Sequence, residues 1–173
     1  MLKSNLDLEY ILVILGDPSD VALLASYLEL AGADFGNKKI SFLSQQLIDK
    51  IGPLGNSFEK LELESHPTYI LSEYIDSICS VLRADFQTSN PLWCIQDSAI
   101  ARLMPLWTEV QALIPRQFWF VRILSSPTEL SLSFCVHRDR DIPVFAQNLT
   151  KNPVKEVKFI FDKLNMEEVA LLN

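Results

Sequence analysis

A glycine, a serine and two aspartates follow the first apolar run of the chain, in the order Gly16-Asp17-Pro18-Ser19-Asp20. Backbone N–H groups at the start of a helix can hold an anion, and a glycine lets the backbone approach such a ligand closely. The same residues also suit a turn that binds nothing, in which Pro18 starts the helix and Ser19 or Asp20 caps it. Both an anion site and a plain scaffold turn therefore remain open, and most turns of this kind are scaffold.

Two further sets of residues could do chemistry. Asp17 and Asp97 are both predicted to follow strands, where two carboxylates could hold a divalent metal for hydrolysis, although two alone are a weak signal. His66 precedes a proline in a polar stretch, and His137 is predicted to end a helix, where a cation complements the helix dipole. Structural roles explain both histidines more simply, so the sequence predicts no metal centre and no histidine base.

The elements that must position these residues alternate between strands and helices. Short apolar runs predict buried strands at 11–15, 92–95 and 118–124, and residues 58–64 fit either an edge strand or a loop. Helices are predicted over 21–31, 40–51, 68–82, 100–113 and 128–137, and as two short helices with Pro143 and Pro153 near their starts. This alternation predicts an α/β fold of three layers, in which a parallel sheet has helices on both faces.

Composition limits the possible partners and location. The 173 residues, 49% of them hydrophobic, are enough for one domain spanning residues 1–173. A net charge of −7 argues against a nucleic acid or an anionic membrane as the main partner. We found no secretory signal and no apolar run long enough to span a bilayer, so we expect a cytoplasmic protein. Cys79, Cys94 and Cys135 show no paired spacing and are predicted to be buried, reduced thiols.

Three segments together resemble the bacterial sulfotransferase-like family, enzymes of a P-loop-related α/β fold that use 3′-phosphoadenosine 5′-phosphosulfate. LGDPSDVALLASYLELAGADFG (15–36) resembles the family's strand end, phosphate loop and helix. WCIQDSAIARLMPLW (93–107) is similar to a strand ending in "KDPR" and a helix with Pro-Leu-Trp. FWFVRILSSPTELSLSF (118–134) with HRDRDIP (137–143) resembles the strand, the "R-x-P-x-E-x-x-x-S-L" segment and the following arginine.

This resemblance implies where a nucleotide would bind. In the family, small residues of the first loop close around the 5′-phosphosulfate, and an arginine and a serine eight residues later hold the 3′-phosphate. The resemblance therefore places the cofactor contacts at Gly16 and Ser19 in the first loop, and at Ser125 and Ser133 in the third segment.

The departures from the family pattern remove positive charge. Asp17 and Asp20 stand in the first loop where the family has a cation, Pro18 removes one amide donor, and Ser125 replaces the arginine. A dianion ~4 Å from each carboxylate would meet repulsion of about 1 kcal/mol per pair of unit charges in water, and several times more when desolvated. The sequence therefore predicts a degenerate member that binds no cofactor, has lost catalysis, and acts as a binding or structural partner of another protein.

An active sulfotransferase is the alternative. Arg138, Arg140 or Lys38 would then supply the missing charge, with 3′-phosphoadenosine 5′-phosphosulfate as donor and a sugar or other small molecule as acceptor. Arg122 is a poor substitute, because strand alternation points it to the opposite face from Ser125.

Overall fold

The structure is a computed structural model that describes residues 3–4, 9–37, 39–52, 63–126 and 138–167. The helices and strands of these residues follow in the order β1 (Lys3–Ser4), β2 (Tyr10–Leu15), α1 (Pro18–Leu30), α2 (Lys39–Ile51), α3 (Thr68–Asp85), β3 (Leu92–Gln96), α4 (Met104–Leu113), β4 (Gln117–Leu124), β5 (Asp141–Phe145), α5 (Ala146–Lys151), α6 (Pro153–Lys163) and β6 (Met166–Glu167). The three strands predicted from apolar runs are confirmed as β2, β3 and β4.

The central sheet has four strands in the order β3-β2-β4-β5, and every neighbouring pair is parallel. Strand β2 lies between β3 and β4, which explains why all six of its residues are buried and why its sequence is uniformly apolar. Helices α1, α2 and α3 lie between β2 and β3 in the chain, and α4 lies between β3 and β4, as parallel connections require. β1 and β6 form a separate antiparallel pair.

Side chains of the sheet divide between two hydrophobic cores. From β2, Ile11 and Val13 point into the core formed with α2, α3 and α4, whereas Leu12 and Ile14 point into the core formed with α1, α5 and α6. This alternation follows from the two-residue period of a strand. The predicted three-layer α/β fold, with helices on both faces of a parallel sheet, is confirmed.

The prediction of a helix that starts near Pro143 was wrong, because residues 141–145 form strand β5. Ile142 and Val144 are buried and alternate with partly exposed neighbours, as expected for a strand. β5 is the last strand of the sheet, and an edge strand tolerates a proline because one of its sides needs no N–H donors.

Other predictions from the sequence have mixed outcomes. Helix α4 begins at Met104, later than predicted, because residues 98–103 form turns. Cys79 and Cys94 are buried free thiols, whereas Cys135 and the helix predicted over 128–137 lie outside the described residues. Among the described helices, none is both long and apolar enough to cross a membrane.

Candidate functional site

A cleft of about 480 Å³ opens where β2 and β3 end. Its walls come from Gly16 and Pro18 after β2 and from Ser41 and Gln45 on α2. The end of β3 and the turns after it contribute Gln96, Asp97, Ser98, Ala99 and Arg102. β2 and β3 are parallel neighbours, so their carboxyl ends meet at one edge of the sheet. Clefts at the carboxyl ends of strands are the usual ligand sites of parallel α/β folds.

Gly16 is required by packing between strands. A Cβ built on Gly16 would lie 2.8 Å from Cβ of Ile123, in the neighbouring strand β4. Atoms at that distance overlap, so a larger residue would push β2 and β4 apart. The glycine of the first loop is therefore explained by the sheet itself, without any ligand.

Helix α1 begins only two residues after Gly16. Asp17 occupies the N-cap position without a side-chain hydrogen bond, and Pro18 begins the helix. The N–H of Val21 donates to the Asp17 carbonyl at 2.9 Å, and Pro18 has no N–H, which leaves at most the N–H groups of Asp17, Ser19 and Asp20 for a ligand at this end of the helix. The prediction that Ser19 or Asp20 caps the helix was wrong, since both lie inside its first turn.

The predicted cofactor residues are not brought together among the described residues. Gly16 lines the cleft, but Ser19 is exposed on the first turn of α1 and is not part of the lining. Ser125 is exposed just after β4 and also lies outside the lining, and Ser133 falls outside the described residues. Only one of the four residues therefore contributes to the cleft that the structure describes.

Arg122 holds a carboxylate of the neighbouring strand. Its Nε donates to both carboxylate oxygens of Asp141, at 2.8 and 2.9 Å, and both side chains are largely buried. Asp141 is the register partner of Phe120, two residues before Arg122, so the paired side chains share one face of the sheet. Arg122 thus links β4 to β5.

Of the other cations considered, Arg140 lies partly exposed in a short 3-10 turn, and Lys38 is outside the described residues.

Arg102 is a cation of the cleft that sequence reasoning missed. It lies in the turns after β3 and lines the cleft, with a partly exposed side chain. Its guanidinium forms no ion pair with any described carboxylate. The family pattern has an arginine two residues after the aspartate, but here the arginine is five residues after Asp97, and only the path of the turns brings it into the cleft.

Asp97 is the acidic group of the cleft. The residue is 9% exposed, its Oδ1 accepts the N–H of Ala99 at 3.0 Å, and its buried Oδ2 makes no hydrogen bond with a described residue. Burial raises the pKa of the Asp97 carboxyl, and the nearby Ser44 hydroxyl, the Ala99 N–H and Arg102 lower it in part. The net direction is upward, so Asp97 keeps its proton to a higher pH than an exposed aspartate.

A chain of buried polar groups runs from the core toward Asp97. Nε1 of Trp107 donates to the Tyr74 hydroxyl at 3.1 Å, and that hydroxyl lies 3.0 Å from the hydroxyl of Ser44. Burial raises the pKa of Tyr74, which keeps its phenol neutral. No local sequence pattern shows that the polar atoms of Trp107 and Tyr74 meet, because the two residues are 33 positions apart.

The described residues contain no group of three His, Cys, Asp or Glu side chains placed to bind a metal ion. Asp97 lines the cleft and Asp17 does not, so the two carboxylates considered from the sequence are not joined there. His66 is partly buried ahead of α3 and away from the cleft, and His137 is outside the described residues.

Comparison with known proteins supports the fold. No protein-family model matches the chain, and a search of curated proteins found no match. Among solved structures, the chain is similar to the sulfotransferase domain from the olefin synthase of Synechococcus PCC 7002. The two share 15% sequence identity with a TM-score of 0.50, and the match covers 98% of this chain and 77% of that chain. This likeness shows a sulfotransferase-like α/β fold.

Proposed function

We propose that this chain is a degenerate sulfotransferase-fold protein that does not bind the sulfate-donor nucleotide and acts as a binding or structural partner of another protein. The observation that supports it most directly is the contact of Gly16 with Ile123, where an added Cβ would be 2.8 Å from a side-chain atom. A phosphate-binding loop needs a run of N–H groups that surround an anion. Here β2 packs directly on β4, and the helix starts two residues later with a proline.

The charges of this segment also oppose a nucleotide. Asp17 is exposed at the start of α1, and Asp20 lies in its first turn, where the dianionic phosphate of a nucleotide would meet two carboxylates. At ~4 Å in water, each carboxylate repels a dianion by about 2 kcal/mol, or about 1 kcal/mol for each charge of the ligand. Ser125, at the position of the family's second anion site, contributes a hydroxyl and no charge.

For a protein partner, the exposed Phe42 and Tyr69, at 63% and 73% exposure, offer apolar contacts.

An active sulfotransferase is the second candidate, and Arg102 is the observation that favours it. Arg102 lines the same cleft as Gly16, and its guanidinium forms no ion pair with a described carboxylate. It could offset one negative charge of a bound nucleotide. The donor would then be 3′-phosphoadenosine 5′-phosphosulfate, and the acceptor a sugar or another small molecule.

Thermal unfolding with adenosine 3′,5′-bisphosphate separates the two candidates. A ligand present at about 100 times its Kd stabilises a folded protein by about 2.7 kcal/mol. That stabilisation raises Tm by several degrees for a chain of this size. We expect no shift at millimolar ligand. A clear shift that is lost in Arg102→Gln and kept in Arg83→Gln, an exposed arginine on α3, would establish nucleotide binding and refute the proposed loss.

A further inference from the structure

We propose that the cleft where β2 and β3 end binds a small hydroxylated carboxylate, such as a sugar acid, whose carboxylate pairs with Arg102. This inference rests on the proposed function, because it assigns to a different ligand the cleft in which a donor nucleotide would lie. The cleft volume of about 480 Å³ falls within the range of small-molecule sites, roughly 300 to 1,000 Å³.

The α2 wall of the cleft favours a ligand with hydroxyl donors. The Ser41 hydroxyl donates to the Gln96 carbonyl at 3.1 Å, and Nε2 of Gln45 donates to Asp49 at 2.8 Å. Both side chains therefore use a donor within the protein and keep an oxygen that can accept. Hydroxyl groups of a ligand would satisfy these acceptors. The Ser98 hydroxyl, in the turns after β3, can donate or accept.

Arg102 supplies the anion contact. Arg102 lines the cleft from the turns after β3, and its guanidinium forms no ion pair with any described carboxylate. The planar fork of an arginine matches the two oxygens of a carboxylate, and hydrogen bonds between ionised partners are among the strongest in proteins. A carboxylate on the ligand is therefore the group that fits this side chain best.

Asp97 limits the ligand to one negative charge. Among the described residues of the lining, Arg102 and Asp97 are the ionisable side chains, so these residues carry one net positive charge when Asp97 is protonated, and none when it is ionised. A dianion would leave at least one negative charge uncompensated beside a buried carboxyl group. A monocarboxylate that pairs with Arg102 leaves no excess charge when Asp97 is protonated, and one negative charge fewer than a dianion when Asp97 is ionised.

Titration calorimetry and thermal unfolding with glucuronate test this inference at constant ionic strength. We expect glucuronate to bind and to raise Tm, glucose and acetate to bind at least tenfold more weakly, and Arg102→Gln to weaken glucuronate binding at least tenfold. Arg83→Gln serves as the control and should bind like the wild type. Arg102 is partly exposed, so the Arg102→Gln variant should keep the wild-type Tm without ligand.

Three results would overturn the inference: no binding of glucuronate, equal binding by Arg102→Gln, or tighter binding of the dianion glucose 6-phosphate. Adenosine 3′,5′-bisphosphate is titrated in parallel, so that a failure of one proposal can be distinguished from a failure of the other. Binding of the bisphosphate refutes the loss of the nucleotide site. Absence of binding by both compounds refutes only the assignment of a sugar acid to the cleft.

Discussion

The hydroxyl oxygens of Ser44 and Tyr74 lie 3.0 Å apart in the core, and this contact joins α2 to α3 beneath the cleft. The Tyr74 oxygen also accepts the indole N–H of Trp107, so it connects three helices of one layer. Buried polar groups stabilise a fold only when each has a partner. The contact therefore fixes the position of Ser44, whose hydroxyl lies near the carboxyl group of Asp97 at the base of the cleft.

Tyr74→Phe should lower the free energy of unfolding by about 1–3 kcal/mol, because it leaves the buried N–H of Trp107 without its acceptor. Tyr69→Phe, on the same helix but 73% exposed, is the matched control and should change stability by less than about 0.5 kcal/mol. Urea unfolding of both variants measures the difference. Equal stability of the two variants would show that the hydroxyl of Tyr74 makes no energetic contribution.

Asp97→Asn should stabilise the protein at pH 7 by about 1 kcal/mol, because an amide keeps the acceptor for Ala99 and avoids burying a charge. The pKa of Asp97 is raised in the folded protein, so the folded state binds the proton more tightly than the unfolded state. Wild-type stability should then fall as pH rises from the ordinary aspartate pKa through the raised folded value, and stay low above it.

The Asn variant should lack this decline, and its advantage over the wild type should shrink toward acidic pH. Urea unfolding across pH 3 to 8 measures it, with the exposed Asp76→Asn as control. A constant difference between Asp97→Asn and wild type at every pH would contradict the raised pKa.

Gly16→Ala should destabilise the protein by about 1–3 kcal/mol, the usual cost of overpacking a tight interior. The new methyl group would lie 2.8 Å from Cβ of Ile123, so β2 or β4 must shift. Ser19→Ala, three residues later and exposed, removes no capping bond and should be close to neutral. Thermal unfolding of the two variants measures this contrast. If Gly16→Ala were as stable as wild type, the explanation of Gly16 by sheet packing would fail.

Asp141→Asn should cost about 3 kcal/mol, because it removes one charge of a largely buried ion pair with Arg122. Glu73→Gln is the control. It breaks the ion pair between Lys50, 49% exposed, and Glu73, 61% exposed, and should cost at most about 1 kcal/mol. A double-mutant cycle with Arg122→Met measures the coupling between the two partners by urea unfolding. Additive single and double mutants would show that the pair is not coupled.

The sequence predicted three of the four strands of the central sheet. Strands β2, β3 and β4 were found because strands buried on both faces are apolar throughout, a property that a single sequence displays. β5 was missed because Pro143 was taken as a helix start, and only its place at the edge of the sheet makes a proline acceptable there.

The candidate site was located from the sequence in part. Gly16 does line the cleft, but Arg102 was overlooked, and the contacts of Tyr74 with Ser44 and Trp107 had no local signature. Their partners are 30 or more positions away in the chain, so no short window of sequence contains both groups.

By itself, the sequence determined the α/β class, the turn after the first strand and the acidic charge of that turn. These properties depend on residue types at short spacing, which hydrophobic periodicity and charge report directly. Tertiary structure alone decided that Gly16 meets Ile123, that Arg102 enters the cleft, and that Asp97 is buried beside Ser44. Those relations join distant parts of the chain, and the packing of helices on the sheet sets their distances.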